Sequence, residues 1–464
     1  MNAPLDRRDF LTGAGAGIAL AGLGHPATHA RTRTGASTGG PAALGTDPFA
    51  LGIASGDVTT DSVVLWTRVA PAPLEAASRF GMGDRTAVEV SWRIANDEAG
   101  LRSDAAAVAY GRHTAVAETG FAVHVEVIGL EPGGRYVYQF AVDGWTSEIG
   151  RTRTAPPADA DQRVRFAVIN CQSLAGAMRG FHFNGMKHLN ARDDLDFVVF
   201  LGDYIYEFGR KDHIPPRPVI TVDDYRTRYG QYKLRPELRE LHRKFPVFAV
   251  PDDHEFFNDV RGGALNPDQV ERFNVGFEVF WEHLPQRGGR PGPLSTTTAN
   301  HKRLDQAIRW GAHLDLYLAD VRTRSTRQSM VGTPQLARLT DWLSTSDATW
   351  TVLGTGQPMS WFGSPGGWTQ TVSEREQLTG ILRARKAATP RTFNPVVLAG
   401  DAHCGMVSHV RQHNDHTSPL VATEFVNAPM TSLGTKDCDR GRRRGRSGRP
   451  TTSPMPAGSA IAAI

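Results

Sequence analysis

Residues 252–255 read Asp-Asp-His-Glu, which packs three carboxylates and an imidazole into four positions. Carboxylates at this density repel one another unless a cation neutralises them. The apolar run at 245–250 is typical of a buried strand, so the motif is expected in a crevice rather than on a solvated acidic turn. We therefore predict Asp253 as an oxygen ligand of a metal ion. His254 is predicted as a proton donor near a leaving group, a role that suits the pKa of imidazole.

A second motif, Gly-Asp-Tyr-Ile-Tyr-Glu at 202–207, follows another buried run. The carboxylate of Asp203 at the strand end could bridge two metal ions. Tyr206, three residues on, could reach the same ion as a phenolate. Phenolate ligation requires a strong Lewis acid because the phenol pKa is about 10, which favours Fe(III) over Mg(II). The alternative for Tyr206 is a core aromatic residue.

Two further segments of the sequence contain residues of metal-ligating types. Asp401 and His403 are separated by one residue, so both project to one face of an extended segment. Cys171 ends the first apolar run of this part of the chain, and its thiolate would select a transition metal such as iron or zinc. The alternative for Cys171 is a small buried apolar residue.

These side chains could hold two ions that share one carboxylate. If Cys171, Asp203, Tyr206 and His403 hold one ion, that site has sulfur, oxygen and nitrogen ligands and suits iron. If Asp203, Asp253 and Asp401 hold the other, that site is all oxygen and suits a hard ion such as Ca(II) or Mg(II). Two ions bridged by one carboxylate form a clamp for in-line phosphoryl transfer, with a metal-bound hydroxide as the predicted nucleophile.

Three other polar residues are candidates for ligand contacts. Arg322 ends a strand-like run, and its guanidinium could hold phosphate oxygens as part of the catalytic site. The alternative is an ion pair with Asp320. Gln172, beside Cys171, could contact a ligand or serve as a loop hydrogen-bonder, and Asn427 is a further candidate.

The motifs follow strand-like apolar runs within residues 160–435. These runs are 165–169, 197–201, 247–250, 314–318, 350–353 and 396–398. Helix-like stretches such as 181–194 and 265–283 lie between several of them. Buried strands that alternate with helices predict a layered α/β core. Polar residues at the carboxyl ends of such strands are expected to meet in one crevice.

Residues 47–155 have the pattern of an all-β domain. The β-rich runs, each bounded by turn-forming residues, are 62–67, 88–93, 122–127 and 136–140. The segment 130–136 resembles the tyrosine corner of immunoglobulin-like sandwiches. We therefore predict a domain of fibronectin type III character.

Composition excludes several classes of protein. A length of 464 residues suits two domains, and a net charge of +4 does not by itself indicate nucleic-acid binding. The chain has three cysteines, Cys171, Cys404 and Cys438, and so small and odd a number does not indicate a disulfide framework. After residue 30 no apolar stretch is long enough to span a membrane.

Both ends of the chain have distinct compositions. Residues 1–30 contain Arg7 and Arg8, a Gly/Ala-rich apolar middle and small residues at the end, which predicts a twin-arginine signal peptide. The mature protein is then expected in the periplasm or outside the cell, delivered by the twin-arginine export machinery. Residues 31–46 are predicted as a linker, and the basic, Ser/Thr/Pro-rich segment 436–464 as a disordered tail.

The motifs together resemble the alkaline phosphatase D (PhoD-like) family of metallophosphoesterases over roughly residues 47–434. They are Asn-Cys-Gln, Gly-Asp-Tyr-Ile-Tyr-Glu, Asp-Asp-His-Glu and Gly-Asp-Ala-His, in that order. The resemblance implies a four-layer α/β calcineurin-like core, related to purple acid phosphatases and preceded by the fibronectin type III-like sandwich. It also implies Fe(III) and Ca(II), and phosphate mono- and diesters as substrates.

Carried onto this chain, the family's iron ligands would be Cys171, Asp203, Tyr206 and His403. Its calcium ligands would be Asp203, Asp253 and Asp401. His254 matches the histidine of the family's acidic motif, and Arg322 matches a strand-end arginine.

Two departures from the family pattern leave other interpretations open. Cys404 stands where a small or polar residue is expected, and a disulfide with Cys171 would remove the predicted iron thiolate. The chain also continues into the basic segment 436–464 where further core strands are expected, which is typical of a truncated or frame-shifted end. The alternatives are a non-catalytic surface-binding protein with a degenerate hydrolase core, and a related hydrolase acting on phosphotriesters or phospholipids.

Overall fold

The computed structural model describes residues 44–174, 183–292, 302–360, 366–390 and 392–432, together with the backbone of 453–454. The predicted signal peptide, most of the linker and most of the tail lie outside the described residues. In the described part, no helix has the length and apolarity needed to cross a membrane.

The N-terminal strands are β1 (Ile53–Gly56), β2 (Ser62–Arg68), β3 (Ala87–Ala95), β4 (Ala109–Val116), β5 (Ala122–Ile128), β6 (Arg135–Val142), β7 (Trp145–Thr146) and β8 (Gly150–Arg153). The later strands are β9 (Phe166–Ile169), β10 (Phe197–Leu201), β11 (Val247–Val250), β12 (Gln306–Trp310), β13 (Leu314–Ala319), β14 (Trp350–Thr355), β15 (Asn394–Ala399), β16 (Met406–Arg411), β17 (Leu420–Val426) and β18 (Ser453–Pro454). The α-helices are α1 (Asn184–Asn190), α2 (Val222–Lys233), α3 (Pro236–Lys244), α4 (Pro267–His283), α5 (Thr333–Thr345) and α6 (Val372–Ala388).

The N-terminal strands form a sandwich of two sheets. One sheet has the order β4-β3-β6-β7, with β8 also paired to β6, and the other contains β5, β2 and β1. The backbone N–H of Glu131 donates to the hydroxyl of Tyr136 at 2.9 Å, which confirms the tyrosine corner.

The sheet of β5, β2 and β1 does not end at the boundary of the sandwich. β1 pairs in parallel with β11, so one six-stranded sheet runs in the order β5-β2-β1-β11-β10-β9. The contact is close at Gly56, where an added Cβ would lie 2.3 Å from the carbonyl oxygen of Val247. The sandwich and the α/β region therefore share a sheet, a continuity that the change of periodicity in the sequence did not predict.

A second sheet of the α/β region has the order β12-β13-β14-β15-β17-β16-β18. Its β13, β14, β15 and β17 are parallel, while β12 and β16 are antiparallel to their neighbours. β18 lies in the segment predicted to be disordered, and its two residues pair with Met406 and Val407.

Side-chain alternation along the strands builds four layers. In β10, Val199 and Leu201 join the apolar core between the two sheets, together with Leu316 of β13. Val198 and Phe200 face the opposite way and pack with residues of α1 to α4. Helices α5 and α6 pack on the outer face of the second sheet. Strands buried on both faces require helices on the outside, which confirms the predicted four-layer α/β core.

Candidate metal centre

The predicted metal ligands lie in the turns that follow β9, β10, β11 and β15. Four of them have left-handed backbones, with φ values of 52° for Cys171, 54° for Asp203, 60° for Asp401 and 51° for His403. A non-glycine residue in this region costs about 1–3 kcal/mol and persists only where its surroundings hold it there. Each of these left-handed residues follows a strand within about four positions.

Tertiary packing brings these side chains into three overlapping groups, in each of which the donor atoms lie within 4.8 Å of one another. The groups are Cys171, Asp203 and His403; Asp203, Asp253 and His254; and Asp252, Asp253 and Asp401. Asp203 and Asp253 each belong to two groups. This arrangement places Asp203 between a sulfur- and nitrogen-containing group and a carboxylate-rich group.

The Tyr206 hydroxyl lies in the first of these groups. It donates to Oδ2 of Asp203 at 3.1 Å and lies 2.9 Å from Nε2 of His403. Ser432 donates its hydroxyl to the Tyr206 oxygen at 2.8 Å. Tyr206 is therefore not a simple core aromatic. Nothing in the sequence around Ser432 signalled its contact with this group.

Cys171 is buried, and its Sγ accepts a hydrogen bond from Nδ2 of Asn170 at 3.0 Å. Burial and the nearby Asp203 raise the pKa of the Cys171 thiol well above its ordinary value. A thiolate at this position would therefore need a cation. The disulfide with Cys404 is absent: within the described residues, the two thiols are not joined.

Some carboxylate oxygens of the three groups accept no hydrogen bond from the described residues. Burial raises the pKa of Asp203, Asp252 and Asp401, and the neighbouring carboxylates add to the effect. Within the described part of the chain, Oδ1 of Asp203 and Oδ1 of Asp253 are buried and accept no hydrogen bond. Buried polar atoms almost always have a partner, so these two oxygens fit a site that binds cations.

Arg322 forms a buried ion pair with Asp252 in this cluster. Its Nε lies 2.7 Å from Oδ1 of Asp252 and one terminal nitrogen lies 3.0 Å from Oδ2. The same terminal nitrogen is 3.6 Å from Asp253 and 3.5 Å from Asp401. The predicted alternative, an ion pair with Asp320, is wrong, because that carboxylate accepts from the backbone N–H groups of Arg322 and Thr323.

His254 is held at the edge of the cluster. Its Nδ1 lies 2.6 Å from Oε2 of Glu207, and its ring packs 4.2 Å from that of Tyr206. Burial alone would lower the pKa of His254, but the carboxylates, Asp203 first, outweigh it and raise the pKa to about 11. Glu207 was part of the recognised motif, yet its role depends on a partner that is distant in sequence.

The other polar candidates make hydrogen bonds within the strand-end turns. Gln172 donates from Nε2 to the carbonyl of Tyr204 at 2.7 Å. Asn427 donates its backbone N–H to the carbonyl of Ala399 at 2.8 Å, while its side-chain Nδ2 is buried and has no hydrogen-bond partner among the described residues. Glu255, the last acid of its motif, accepts from the backbone N–H groups of Asp203 at 3.1 Å and Asp252 at 2.7 Å. Its carboxylate therefore joins the ends of β10 and β11.

Comparison with known proteins places this arrangement in a family. Residues 166–454 match the family model described as PhoD-like phosphatase, and residues 34–156 match the model of the PhoD-like phosphatase N-terminal domain. The chain belongs to the PhoD-like phosphatase family. It is therefore a hydrolase of phosphoric esters.

Individual relatives agree with this PhoD-like assignment. The chain is 30% identical to alkaline phosphatase D of Bacillus subtilis (strain 168) over 476 aligned positions, covering 93% of this chain and 77% of that protein. A solved structure of PhoD matches with a TM-score of 0.73 and 28% identity, covering 85% of this chain and 79% of the other. A purple acid phosphatase from yellow lupin shares the fold, with a TM-score of 0.52, 13% identity and coverage of 83% and 65%.

Proposed function

We propose that this PhoD-like phosphatase hydrolyses phosphate mono- and diesters at a centre of two metal ions that share the carboxylate of Asp203. The observation that carries the proposal is the buried acidic cluster, in which oxygens of Asp203 and Asp253 accept no hydrogen bond within the described residues. A cluster of this kind is stable in its ionised form only when cations neutralise it.

The donor chemistry assigns one ion to each side of Asp203. Fe(III) would be held by Cys171, Asp203, Tyr206 and His403. Ca(II) would be held by Asp203, Asp253 and Asp401. When bound, the ions would polarise the phosphoryl group and supply a nucleophile at neutral pH.

The remaining side chains would act on protons and on orientation. His254 would donate a proton to the oxygen of the leaving group, since the neighbouring carboxylates, Asp203 first, raise the pKa of its ring. Arg322, paired with Asp252, orients that carboxylate and offsets the charge of Asp253 and Asp401. Nε and one terminal nitrogen of Arg322 are engaged by carboxylates, and we propose that its other terminal nitrogen holds a phosphate oxygen.

We further propose that the chain consists of a linker at 31–46, the sandwich at 47–155 and the catalytic region at 160–435. Residues 1–30 would direct twin-arginine export to the periplasm or the exterior. The support is Arg7 and Arg8 ahead of an apolar stretch. Export of a folded protein would allow the buried centre to be loaded before it leaves the cytoplasm. Replacing both arginines with lysine should retain the protein inside the cell, as immunoblotting of cell fractions would reveal.

The function is tested on protein purified without chelator. Elemental analysis should find iron and calcium, and a chromogenic phosphodiester should be hydrolysed faster with added calcium. The sample should be coloured through phenolate-to-iron charge transfer, and Tyr206→Phe should remove the colour. Asp203→Ala should lose both activity and metal. A folded, colourless, metal-free and inactive protein would instead support the non-catalytic binding protein.

A further inference from the structure

Glu207 lies in the turn after β10 and belongs to none of the three groups of candidate metal ligands found among the described residues. Its side chain is 5% exposed, and both of its oxygens are engaged. Oε2 lies 2.6 Å from Nδ1 of His254, and Oε1 accepts from the backbone N–H of Asn258 at 2.9 Å. The carboxylate therefore cannot rotate away from the imidazole without losing a second hydrogen bond.

The loop that contains Glu207 also packs against the imidazole. The ring centroid of Tyr206 lies 4.2 Å from that of His254, and the ring of Phe208 meets it edge-on at 5.7 Å. The loop is itself held by Arg228, a fully buried side chain that donates to the carbonyls of Tyr206 and Phe208. One short segment thus sets the position of the histidine ring on several sides.

We propose that Glu207 is a positioning residue that binds Nδ1–H of His254 and so directs Nε2–H to the leaving group of the substrate. The proposal rests on the proposed function. A carboxylate accepts but does not donate, so the proton of this hydrogen bond belongs to Nδ1 and the ring faces the reaction through Nε2. A ring nitrogen of His254 lies within 4.8 Å of oxygens of Asp203 and Asp253, which places it at the cluster.

The proton balance of the step is simple. As the bond from phosphorus to the leaving oxygen breaks, its electron pair stays on that oxygen, which takes the proton from Nε2. The imidazole becomes neutral and keeps Nδ1–H on Glu207. A proton from solvent restores the imidazolium before the next turnover.

The variant Glu207→Gln changes this hydrogen bond with little change in shape. If the amide oxygen keeps the bond to Asn258, the amide nitrogen must donate to Nδ1 of His254. The ring is then neutral, and Nε2–H becomes a far weaker acid. If instead the amide oxygen accepts from Nδ1–H of His254, the amide nitrogen faces the backbone N–H of Asn258. Two hydrogen-bond donors would then lie against each other.

The test compares two phosphodiesters, one with an alkyl alcohol as leaving group and one with a nitrophenol that leaves without protonation. For Glu207→Gln we expect kcat/KM on the alkyl ester to fall by about 10²–10³-fold, and on the nitrophenyl ester by less than about fivefold. Metal content should not change. The matched control is Glu240→Gln, which removes a surface carboxylate paired with Arg243 and should affect neither ester.

A double-mutant cycle with His254→Asn tests whether Glu207 acts through the histidine. The double variant should lose no more on the alkyl ester than His254→Asn alone. If Glu207→Gln does not fold, Glu207→Asp, which keeps the charge but shortens the reach, should show the same selective loss.

An equal loss on both esters, or a loss of metal, would overturn the positioning role, because it would indicate a structural or metal-binding function for Glu207. Failure of the proposed function has a different signature. In that case the metal-loaded wild-type protein would hydrolyse neither ester.

Discussion

At the scale of single residues, the buried charges of the cluster oppose the stability of the metal-free chain. Asp203 shows this most clearly, since it is 2% exposed and one of its oxygens accepts no hydrogen bond within the described residues. Burial raises the pKa of Asp203 well above its ordinary value, so the ionised carboxylate opposes folding until a cation is present.

Asp203→Asn should therefore separate stability from function. We expect the free energy of unfolding of the metal-free protein to rise by about 1–3 kcal/mol, because the amide removes an uncompensated buried charge. Phosphodiesterase activity and metal content should both be lost. Urea unfolding in the presence of chelator, with elemental analysis of untreated protein, measures the two effects.

The control for this change is Asp341→Asn, which alters an exposed acid on α5 and should leave stability and activity as they are. A metal-free Asp203→Asn protein that is less stable than wild type would show that Asp203 has a structural role that outweighs its charge.

At the scale of elements, the strand-end turns decide where the ligands point. Gly202 links β10 to Asp203 with φ of 85°. An added Cβ at this position would lie 2.3 Å from Cβ of Asp252 and 2.6 Å from its backbone nitrogen. The ends of β10 and β11 can approach each other only because residue 202 has no side chain.

Gly202→Ala is accordingly expected to destabilise the protein by about 2–4 kcal/mol, from the left-handed backbone and the clash together. It should also weaken metal binding, because Asp203 and Asp252 must move apart. Gly380→Ala, in α6 with no atom within 4 Å of the new methyl group, is the control and should be neutral or stabilising. Thermal unfolding measures the stability of both variants, and metal titration measures their metal affinity. Equal stability and equal affinity for the two variants would contradict the prediction.

At the scale of the whole molecule, the sandwich and the α/β region are joined by more than a linker. β1 extends the first sheet, and the indole N–H of Trp66 donates to the carbonyl of Glu282 at 2.9 Å. On the neighbouring strand β5, Nε2 of His124 lies 3.0 Å from the carbonyls of both Trp281 and Leu284. These bonds cross between the two regions in a buried setting.

Buried histidines make this assembly sensitive to acid. Burial lowers the pKa of His124 to about 3 and that of His213 to about 4. Between these values and about 6.5, the ordinary pKa of histidine, the unfolded chain binds protons that the native protein does not. Stability therefore falls as the pH falls below about 6.5, by about 1.4 kcal/mol per pH unit for each such histidine.

His124→Gln should reduce this slope by about 1.4 kcal/mol per pH unit, the contribution of one histidine. The amide can still donate to the two carbonyls but does not titrate. Urea unfolding at several pH values between 4 and 7 measures the slope. His416→Gln, at an exposed site, is the control and should leave it unchanged. Identical slopes for wild type and His124→Gln would show that His124 does not set the acid limit.

Much of the cluster was predictable because its side chains are local features of strand ends. Apolar runs followed at once by Asp203, Asp253 and Asp401 indicate parallel strands that deliver carboxylates to one edge. The same reasoning did not predict the ion pair of Arg322 with Asp252, since the adjacent Asp320 was the nearer partner in sequence. Proximity along the chain favoured Asp320, but the backbone N–H groups of the turn occupy its carboxylate.

Periodicity and turn chemistry are local properties, so the amino-acid sequence alone was enough to predict the residue types of the cluster, their positions after buried strands and the layered α/β core. Which side chains lie together followed only from the fold. Ser432 reaches Tyr206 across 226 residues, and Glu207 reaches His254 across 47. The fold also decided that β1 continues the core sheet. Such partners are selected by packing between elements distant in sequence, which no local pattern encodes.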